Sequence, residues 1–413
     1  MKKRQAKTPT FYVRKRLFRN KPALIGLIII LFAHLIALLG YLIMPDSTPD
    51  ANDGSALIKK KPAGFQVSIL KKLKNREVAD VNFFEKVFFG QESKYTFFPI
   101  SNLEINGLNA RYSLYGKEKE VVETPIITFV KPLFVGKSPK LKPDSSYNFK
   151  VDGDVITYLD HNEAIQKVHK AELIEEFNEA NFQERTYLLG TDKAGRDILS
   201  RLLFGTRISL SIGFIAVLIS LFVGVTLGGF AGYFGGYMDK MIMWLMTVVW
   251  SIPGIMLVIA ISLAVQSKGI WVAFVAVGLT MWVEVARVVR GQIMSIKEKL
   301  YVEAATALGI GSFRIIFIHI LPNIMGPIIV IATANFASAI LIEAGLSFLG
   351  LGVQPPMPSW GMMVNEGYNS NWESDGGYLV ILPSLFISIL VLSFNLFGNG
   401  LRDAYDPQTA VKW

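Results

Sequence analysis

Six runs of mostly apolar residues, each close to the length that crosses a lipid bilayer, constrain this chain more than any other feature. They lie at residues 22–44, 208–232, 241–266, 269–289, 324–342 and 378–397. A crossing helix needs about 20 such residues, and a helix satisfies its backbone hydrogen bonds internally in lipid. The sequence therefore predicts an all-α polytopic membrane protein with six transmembrane helices.

The composition fits a chain whose main solvent is lipid. Hydrophobic residues make up 51% of the 413 residues and charged residues only 18%, against about 25% charged in soluble domains. The absence of cysteine excludes disulfides and thiolate metal sites. The net charge of +9 is concentrated at the start of the chain, so nucleic acid is not a predicted partner.

The start of the chain sets the predicted orientation. Residues 1–21 contain nine Lys and Arg and no acidic residue, which predicts a basic amphipathic segment that stays in the cytoplasm. The apolar run at 22–44 is longer than the core of a cleavable signal, which has about 7 to 15 residues, so it is predicted to be the first transmembrane helix. Six spans then place both termini, including a tail at 408–413, in the cytoplasm.

Residues 45–185 differ from the rest of the chain and predict an inserted soluble α+β domain. Runs rich in β-branched and aromatic residues predict strands at 95–100, 105–114, 125–135 and 155–159. The spacing of apolar residues at 163–179 predicts an amphipathic helix. Because the first span leaves the cytoplasm, this domain is expected on the outer side of the membrane.

A short segment between the fourth and fifth spans, VEAATALGIGSFRIIFIHILPN at 302–323, has a distinct pattern. The alanines favour helix and keep one face small, and the glycine after them ends a helix at low steric cost. The pattern predicts two short helices joined at Gly309 and a surface that another protein can approach closely. The residues that define it are Glu303, Ala304, Ala305, Gly309, Leu321 and Pro322.

A second polar pattern precedes the second span, and we call it the GTD/GRD motif. Its residues are Gly190, Thr191, Asp192, Gly195, Arg196 and Asp197. The spacing predicts a tight turn held by hydrogen bonds between Arg and Asp. Asp197 is placed to cap the helix that follows, near the positive end of its dipole.

Two features interrupt the predicted spans. The glycine-rich stretch at 228–236 predicts a tight cytoplasmic turn where helices approach closely. Pro253 and Gly254 interrupt the third span, because proline removes a backbone hydrogen bond. This kink is either static or a hinge for a pathway.

Two acidic residues lie at membrane depth. Glu284 is three residues before Arg287 and six before Arg290, which predicts an ion pair on one helix. Glu343 follows an apolar run and is expected to face the bundle interior or to cap a re-entrant turn; lining of a pathway is the alternative.

Together these motifs resemble importer-type ABC permeases, in particular the C-type subunit of dipeptide, oligopeptide and nickel transporters. The segment at 302–323 resembles their EAA loop, and the GTD/GRD motif resembles the entry motif of that C-type subunit. The resemblance implies a permease core with five transmembrane helices at 186–407, in the inner (cytoplasmic) membrane of a cell. It also implies that the EAA loop docks on an ATP-hydrolysing subunit.

The resemblance further implies the partners. These are a second related permease subunit, two ATP-binding subunits that carry ATP and Mg, an extracytoplasmic substrate-binding protein and the lipid bilayer. The chain itself has no complete phosphate-binding loop, because Lys131 stands where the loop of Gly136-Lys137-Ser138 would need glycine. We therefore expect a non-catalytic subunit with no metal site and no cofactor of its own.

The alternatives concern cargo and class. Peptide is the expected cargo and nickel complexes are the alternative; a channel or a membrane scaffold is a further alternative. A membrane enzyme is disfavoured because the sequence has no HExxH or GxSxG motif. The inserted domain either docks the binding protein or shields the outer mouth.

Overall fold

The computed structural model describes residues 9–141, 147–266, 269–369 and 377–406. These residues form two compact units, one comprising 39–201 and the other comprising the described parts of 1–38, 202–372 and 377–413. The helices are α1 (Pro9–Arg19), α2 (Lys21–Ile43), α3 (Phe83–Phe89), α4 (Ile127–Val130), α5 (Lys170–Ala180), α6 (Ile198–Phe234), α7 (Gly236–Trp250), α8 (Gly254–Val265), α9 (Ile270–Lys297), α10 (Leu300–Ala307), α11 (Ser312–Arg314), α12 (Met325–Phe348), α13 (Trp360–Tyr368) and α14 (Gly377–Tyr405). The strands are β1 (Phe65–Leu73), β2 (Tyr95–Asn106), β3 (Asn109–Leu114), β4 (Val121–Pro125), β5 (Phe149–Asp152), β6 (Val155–Leu159), β7 (Ile165–His169) and β8 (Phe182–Tyr187).

The helical unit carries the candidate membrane spans. Within the described residues, five helical runs are long and apolar enough to cross a bilayer, namely α2, α6, α9, the run Ser312–Phe348 and α14. The pair α7 and α8 passes the same test only if its two helices are taken together, and they are bent by 91°. The chain is therefore a helical membrane protein with five or six candidate spans.

Helix α6 corrects the prediction of a turn over the glycine-rich stretch. It continues as helix to Phe234, and only Gly235 and Gly236, with φ of 66° and 56°, form the turn. The earlier glycines serve close packing instead, because a Cβ at Gly228 would lie 2.4 Å from the Ala286 carbonyl oxygen of α9. Gly224 and Gly232, one turn away on either side, approach α9 in the same way. The predicted close approach of helices is present, whereas the predicted extent of the turn was wrong.

The first helix of the unit is fastened to the last one. Arg16 on α1 donates from Nη1 to the carbonyl oxygens of Ala404, at 3.4 Å, and Asp406, at 3.1 Å. A cation at the carboxyl end of α14 satisfies carbonyl groups that have no partner within the helix and complements the helix dipole. The basic segment thus has a structural role in addition to its charge.

The other unit is built on a five-stranded antiparallel sheet. Its strand order is β4-β3-β2-β1-β8, and a separate three-stranded antiparallel sheet has the order β5-β6-β7. The register of the first sheet pairs Ser68 with Ile100 and Phe65 with Tyr187. Helices α4 and α5 supply Phe129 and Phe177, which are fully buried and in edge-to-face contact in the core of this unit.

Several strand predictions in this unit need correction. The run 155–159 is β6, and 95–100 is the first half of the longer β2, but 105–114 spans the turn between β2 and β3. The run 125–135 contains α4 rather than a strand, because a short, wholly buried apolar run gives the same pattern for strand and helix. The predicted helix at 163–179 is divided into β7 and α5, and β1 and β8 were missed.

Candidate functional site

Helix α10 and the glycine after it form the first part of the candidate site. The helix ends with Gly309 in the left-handed region, at φ 72°. The Ile310 N–H donates to the Ala305 carbonyl oxygen at 3.2 Å, the long bond of a Schellman motif. Glycine suits this position because it adopts positive φ without a Cβ penalty. No atom lies within 4 Å of where a Cβ on Gly309 would be, so the glycine faces open space among the described residues.

Helix α10 has one buried face and one exposed face. Val302 and Ala305 are 2% and 6% exposed and belong to a core that includes Ile315, Ile316 and Ile320. On the opposite face Glu303 and Ala304 are exposed, and the flanking Leu300 and Leu308 are 82% and 80% exposed. The exposed face of α10 thus has an apolar side chain at each end, with Glu303 and Ala304 between them.

The chain after Gly309 corrects the prediction of two short helices. It is helical without a break from Ser312 to Phe348, a run of 37 residues. Within this run Ile315–Ile320 form a π-turn, in which the Leu321 N–H donates to the Ile316 carbonyl oxygen. Pro322 follows directly and has no N–H to donate, so the wider turn accommodates it. Leu321 packs against the same core as Ala305, whereas Pro322 is exposed.

An open groove of about 910 Å³ lies beside the exposed face of α10. Glu303 and Thr306 form one wall, and Tyr233 and Lys297 lie on the other side. Lys297 donates from Nζ to the Tyr233 carbonyl oxygen at 2.6 Å, which fixes the end of α9 to the end of α6. This groove was not predicted from the sequence, because it depends on Tyr233 lying close to α10, which is more than 60 residues further along the chain.

The charges of α9 have partners other than those predicted. Arg290 makes two bonds to Asp239 of α7, Nε to Oδ1 at 2.5 Å and Nη2 to Oδ2 at 2.7 Å. The Arg287 guanidinium lies 3.5 Å from the centroid of the Trp250 ring. The ion pair predicted for Glu284 was with Arg287, three residues on, and that prediction was wrong, because among the described residues Arg287 stacks on Trp250 and makes no ion pair with Glu284.

The break at Pro253 is sharper than a kink. Pro253 caps α8 by accepting bonds from the Met256 and Leu257 N–H groups, and the axis turns by 91° between α7 and α8. Beside the break is a cleft of about 400 Å³, lined by residues of α7, α8, α9 and α12 that include Gly254 and Glu284. Glu284 is exposed. The structure thus brings a proline break and a carboxylate to the same cleft.

Glu343 lies inside the helical unit and is not among the residues that line this cleft. It is 1% exposed, and its Oε1 accepts a bond from Ser347 Oγ at 2.7 Å. The same Ser347 oxygen accepts the Val353 N–H at 3.1 Å. The buried carboxyl group is thus linked through Ser347 to the turn after α12.

The GTD/GRD motif forms a buried ion network in the unit of residues 39–201. Asp192 Oδ2 accepts Arg196 Nε at 2.7 Å and Arg201 Nη1 at 2.5 Å, and all three side chains are 7% exposed or less. Burial works to raise the pKa of Asp192, but the two guanidinium groups outweigh it and lower the pKa. The predicted bonds between Arg and Asp are thus observed, and Arg201 joins them from outside the motif.

The rest of the motif binds the chain segment that follows the first span. The Thr191 N–H donates to the Lys61 carbonyl oxygen at 3.0 Å, and the Lys60 N–H donates to that of Asp192 at 2.9 Å. Gly190 and Gly195 have φ of 79° and 77°, and a Cβ on either would lie 2.2 Å or less from a backbone oxygen of the segment 55–61. No other residue fits at these glycines. We call this set of contacts between residues 46–62 and 190–201 the domain closure.

Asp197 caps α6 as the sequence predicts. Its Oδ2 accepts the Ser200 N–H at 2.7 Å and Ser200 Oγ at 2.5 Å. Ser200 Oγ in turn accepts the Asp46 N–H at 2.9 Å, so the cap extends to the chain just after α2. Burial raises the pKa of Asp197, and these hydrogen bonds only partly offset it.

Comparisons with known proteins place these features in a family context. Residues 224–411 match the family described as binding-protein-dependent transport system inner membrane component, and residues 8–62 match the N-terminal TM domain of oligopeptide transport permease C. The chain is 44% identical over 220 residues to the glutathione transport system permease protein GsiD of Pectobacterium atrosepticum, covering 53% of this chain and 72% of that protein. It is 42% identical over 223 residues to the dipeptide transport system permease protein DppC of Bacillus subtilis, covering 53% and 68%.

A solved structure of the inward-facing MetNI methionine ABC transporter is also similar. The sequence identity is 18% and the TM-score 0.42, and the match covers 51% of this chain and 98% of that one. The two family matches leave residues 63–223 uncovered, which include the whole sheet region.

Proposed function

Because the chain belongs to the family of binding-protein-dependent transport inner membrane components, of the OppC/DppC type, we propose that it forms half of the translocation pathway of an ATP-driven importer of short peptides. Membership makes it a multi-pass inner-membrane protein and a non-catalytic component, and it implies ATPase and binding-protein partners. Peptide is favoured over nickel complexes because the relatives named above carry glutathione and dipeptide in their names.

The two-faced α10 is the observation that carries the coupling role. Its buried residues Val302 and Ala305 join it to the start of the 37-residue run Ser312–Phe348. Its exposed face offers Glu303 and Ala304 between two exposed leucines. A force applied to the exposed face by an ATPase subunit passes through a packed core rather than through a loose loop. The long helical run then moves with α10 as one body.

The remaining assembly follows the family pattern. The basic start of the chain keeps both termini in the cytoplasm, the bent pair α7 and α8 acts as a sixth span, and the domain at 45–185 lies outside. The core at 186–407 pairs with a second related permease subunit. Two ATP-binding subunits with ATP and Mg dock below, because this chain has no complete phosphate-binding loop, and a substrate-binding protein delivers cargo from the outer side.

The cleft at the Pro253 break is our candidate for part of the pathway. Pro253 and Gly254 provide the change of direction, and Glu284 contributes a carboxylate at membrane depth, where an ionised group faces a polar cavity rather than lipid. Glu343 supports the neighbouring turn through Ser347. The hinge at Pro253 acts when α7 and α8 change their angle during transport.

The GTD/GRD motif has a different task, because it fixes the base of the inserted domain. It joins residues 46–62, which follow the first span, to residues 190–201, which lie at the start of the core. A domain fixed at its base is suited both to dock a binding protein and to shield the outer mouth. Deleting residues 63–180 while keeping the closure separates the two: unchanged binding-protein affinity rules out docking.

Uptake measurements test the proposed function. A host strain that lacks this chain is complemented with wild type or with no insert, and the uptake of a radiolabelled dipeptide, a tripeptide and a nickel complex is compared with and without energy depletion. The proposal expects energy-dependent peptide uptake that is restored only by the chain. Restored nickel uptake without peptide uptake changes the cargo, and uptake that persists after ATP depletion supports a channel.

A further inference from the structure

Helix α3 is a short helix with an unusual sequence, FFEKVFF. A helix of seven residues is unstable alone, but both of its ends are fixed. Asn82 Oδ1 accepts the Glu85 N–H at 2.8 Å and Glu85 Oε2 accepts the Asn82 N–H at 3.1 Å, a complete capping box. At the other end Gly90, with φ 75°, donates its N–H to the Lys86 carbonyl oxygen. The sequence thus specifies this helix despite its length.

Most of the helix surface is exposed phenylalanine. Phe83, Phe84 and Phe89 are 65%, 73% and 73% exposed, whereas Val87 is buried at 7% and holds the helix to its own unit. Leaving large aromatic side chains in water is costly, since each buries 150–250 Å² when covered. A cluster of this kind marks a surface that meets another apolar phase.

Helix α3 lies beside the carboxyl end of α2. A Cβ on Gly90 would lie 2.6 Å from the Tyr41 ring, so the end of α3 contacts the last turns of α2. The Gln91 N–H also donates to the Ser47 carbonyl oxygen at 3.1 Å. The 23 residues of α2 span about 35 Å, against about 30 Å for the hydrocarbon core. Tyr41, two residues before the helix ends, therefore lies near the level where hydrocarbon gives way to lipid headgroups.

We propose that α3 is a membrane anchor, whose phenylalanines enter the lipid leaflet at the carboxyl end of α2. At about 1.5 Å per residue, the whole helix extends only about 10 Å from its contact with Tyr41, so its side chains reach the interface. The exposed Leu42 and Ile43 in the last turn of α2 extend the same apolar surface. Such an anchor lies on the membrane rather than crossing it. It holds the inserted domain against the bilayer independently of transport.

The absence of cysteine from the sequence makes a direct test possible. Single-cysteine variants Phe84→Cys and Phe89→Cys of the full chain are labelled with a nitroxide in nanodiscs of phosphatidylethanolamine and phosphatidylglycerol. Val135→Cys, at a 78% exposed position of the same unit, is the matched aqueous control. Collisional relaxation by oxygen and by a water-soluble nickel chelate reports the depth of each label.

The anchor predicts a several-fold higher ratio of oxygen to nickel-chelate accessibility at positions 84 and 89 than at 135. Adding Phe83→Glu to Phe84→Cys should return that ratio towards the control value, because a charge is costly below the headgroups. Labels at 84 and 89 that are as accessible to the chelate as the label at 135 overturn the proposal. Labels that lose chelate accessibility only when the binding protein is added also overturn it, and assign α3 to a protein contact.

Discussion

Replacing Asp192 with Asn tests what holds the domain closure together. Asn keeps the size of the side chain and an oxygen that still accepts the Ala194 and Arg196 N–H groups, now at 2.8 and 2.9 Å. It removes the negative charge that Arg196 and Arg201 share in a site where both side chains are 7% exposed or less. Breaking a buried ion pair in this way costs about 3–5 kcal/mol. Because the neutral hydrogen bonds remain, we expect the lower end, about 3 kcal/mol.

Hydrogen exchange of the full chain in nanodiscs measures this cost locally. The Lys60 and Thr191 N–H groups donate across the closure and exchange when it opens. A loss of 3 kcal/mol raises their exchange rates about 100-fold, since each 1.4 kcal/mol is a factor of ten. Asp152→Asn is the matched control, because Asp152 pairs with Lys150 at an exposed site, where its side chain is 58% exposed. There we expect less than about 1 kcal/mol, or under fivefold.

If Asp192→Asn changes exchange at Lys60 and Thr191 no more than Asp152→Asn does, the ion network does not hold the closure. The two glycines and the backbone hydrogen bonds would then suffice. Faster exchange throughout the unit, including β2 and β3, would instead show that the substitution unfolds the domain as a whole.

Three further predictions concern protonation, helix packing and the cleft. Burial raises the pKa of Asp53 and of Asp197, so these two groups bind protons more tightly in the folded closure than in the unfolded chain. The pKa of Asp192 is lowered, and its stabilisation is lost only as the pH approaches the unfolded value of about 3.9. Protection of the closure should therefore increase as the pH falls from 7 towards about 5; a decrease over that range contradicts the sign. Gly228→Ala should lower the melting temperature, since overpacking costs about 1–3 kcal/mol, whereas Gly291→Ala, with open space at its Cβ, should not. Glu284→Gln should slow uptake of lysine-containing peptides about two- to fivefold more than of acidic peptides; an equal effect on both argues against a cleft role.

The membrane part of the fold was largely predictable from the sequence, because hydrophobicity and length dominate it. The bends between helices were harder to predict from the sequence. Pro253 marks the position of the break, but the 91° angle depends on how α8 packs against α9 and α12. The glycines of α6 suggested a turn because glycine is common both in turns and at close helix contacts. Only the partner surface on α9 distinguishes the two, and that surface is about 60 residues away in the sequence.

The sites show the same division between local and distant information. Gly309 at the end of a helix and Asp197 at the start of one follow from neighbouring residues, so local pattern suffices. The partner of Arg287 was predicted to be Glu284 on its own helix, but Arg287 stacks on Trp250 of another helix, and the neighbouring Arg290 pairs with Asp239. In the sheet region, β1 and β8 are paired although more than 100 residues separate them. Such pairings depend on contacts that no local pattern contains.

Docking of an ATPase on the exposed face of α10 is the central claim, and substitution at Gly309 tests it most directly. Gly309→Trp places a large side chain where the chain itself leaves open space, so only a partner meets it. Gly309→Asn controls for the backbone, because Asn tolerates positive φ. Gly107→Trp controls for the tryptophan at another open glycine, with φ 61°. Each tagged variant is purified from its host membrane, and co-purified proteins are identified by mass spectrometry. We predict that wild type, Gly309→Asn and Gly107→Trp retain an ATPase and that Gly309→Trp loses it; an ATPase retained by Gly309→Trp, with normal peptide uptake, contradicts the account.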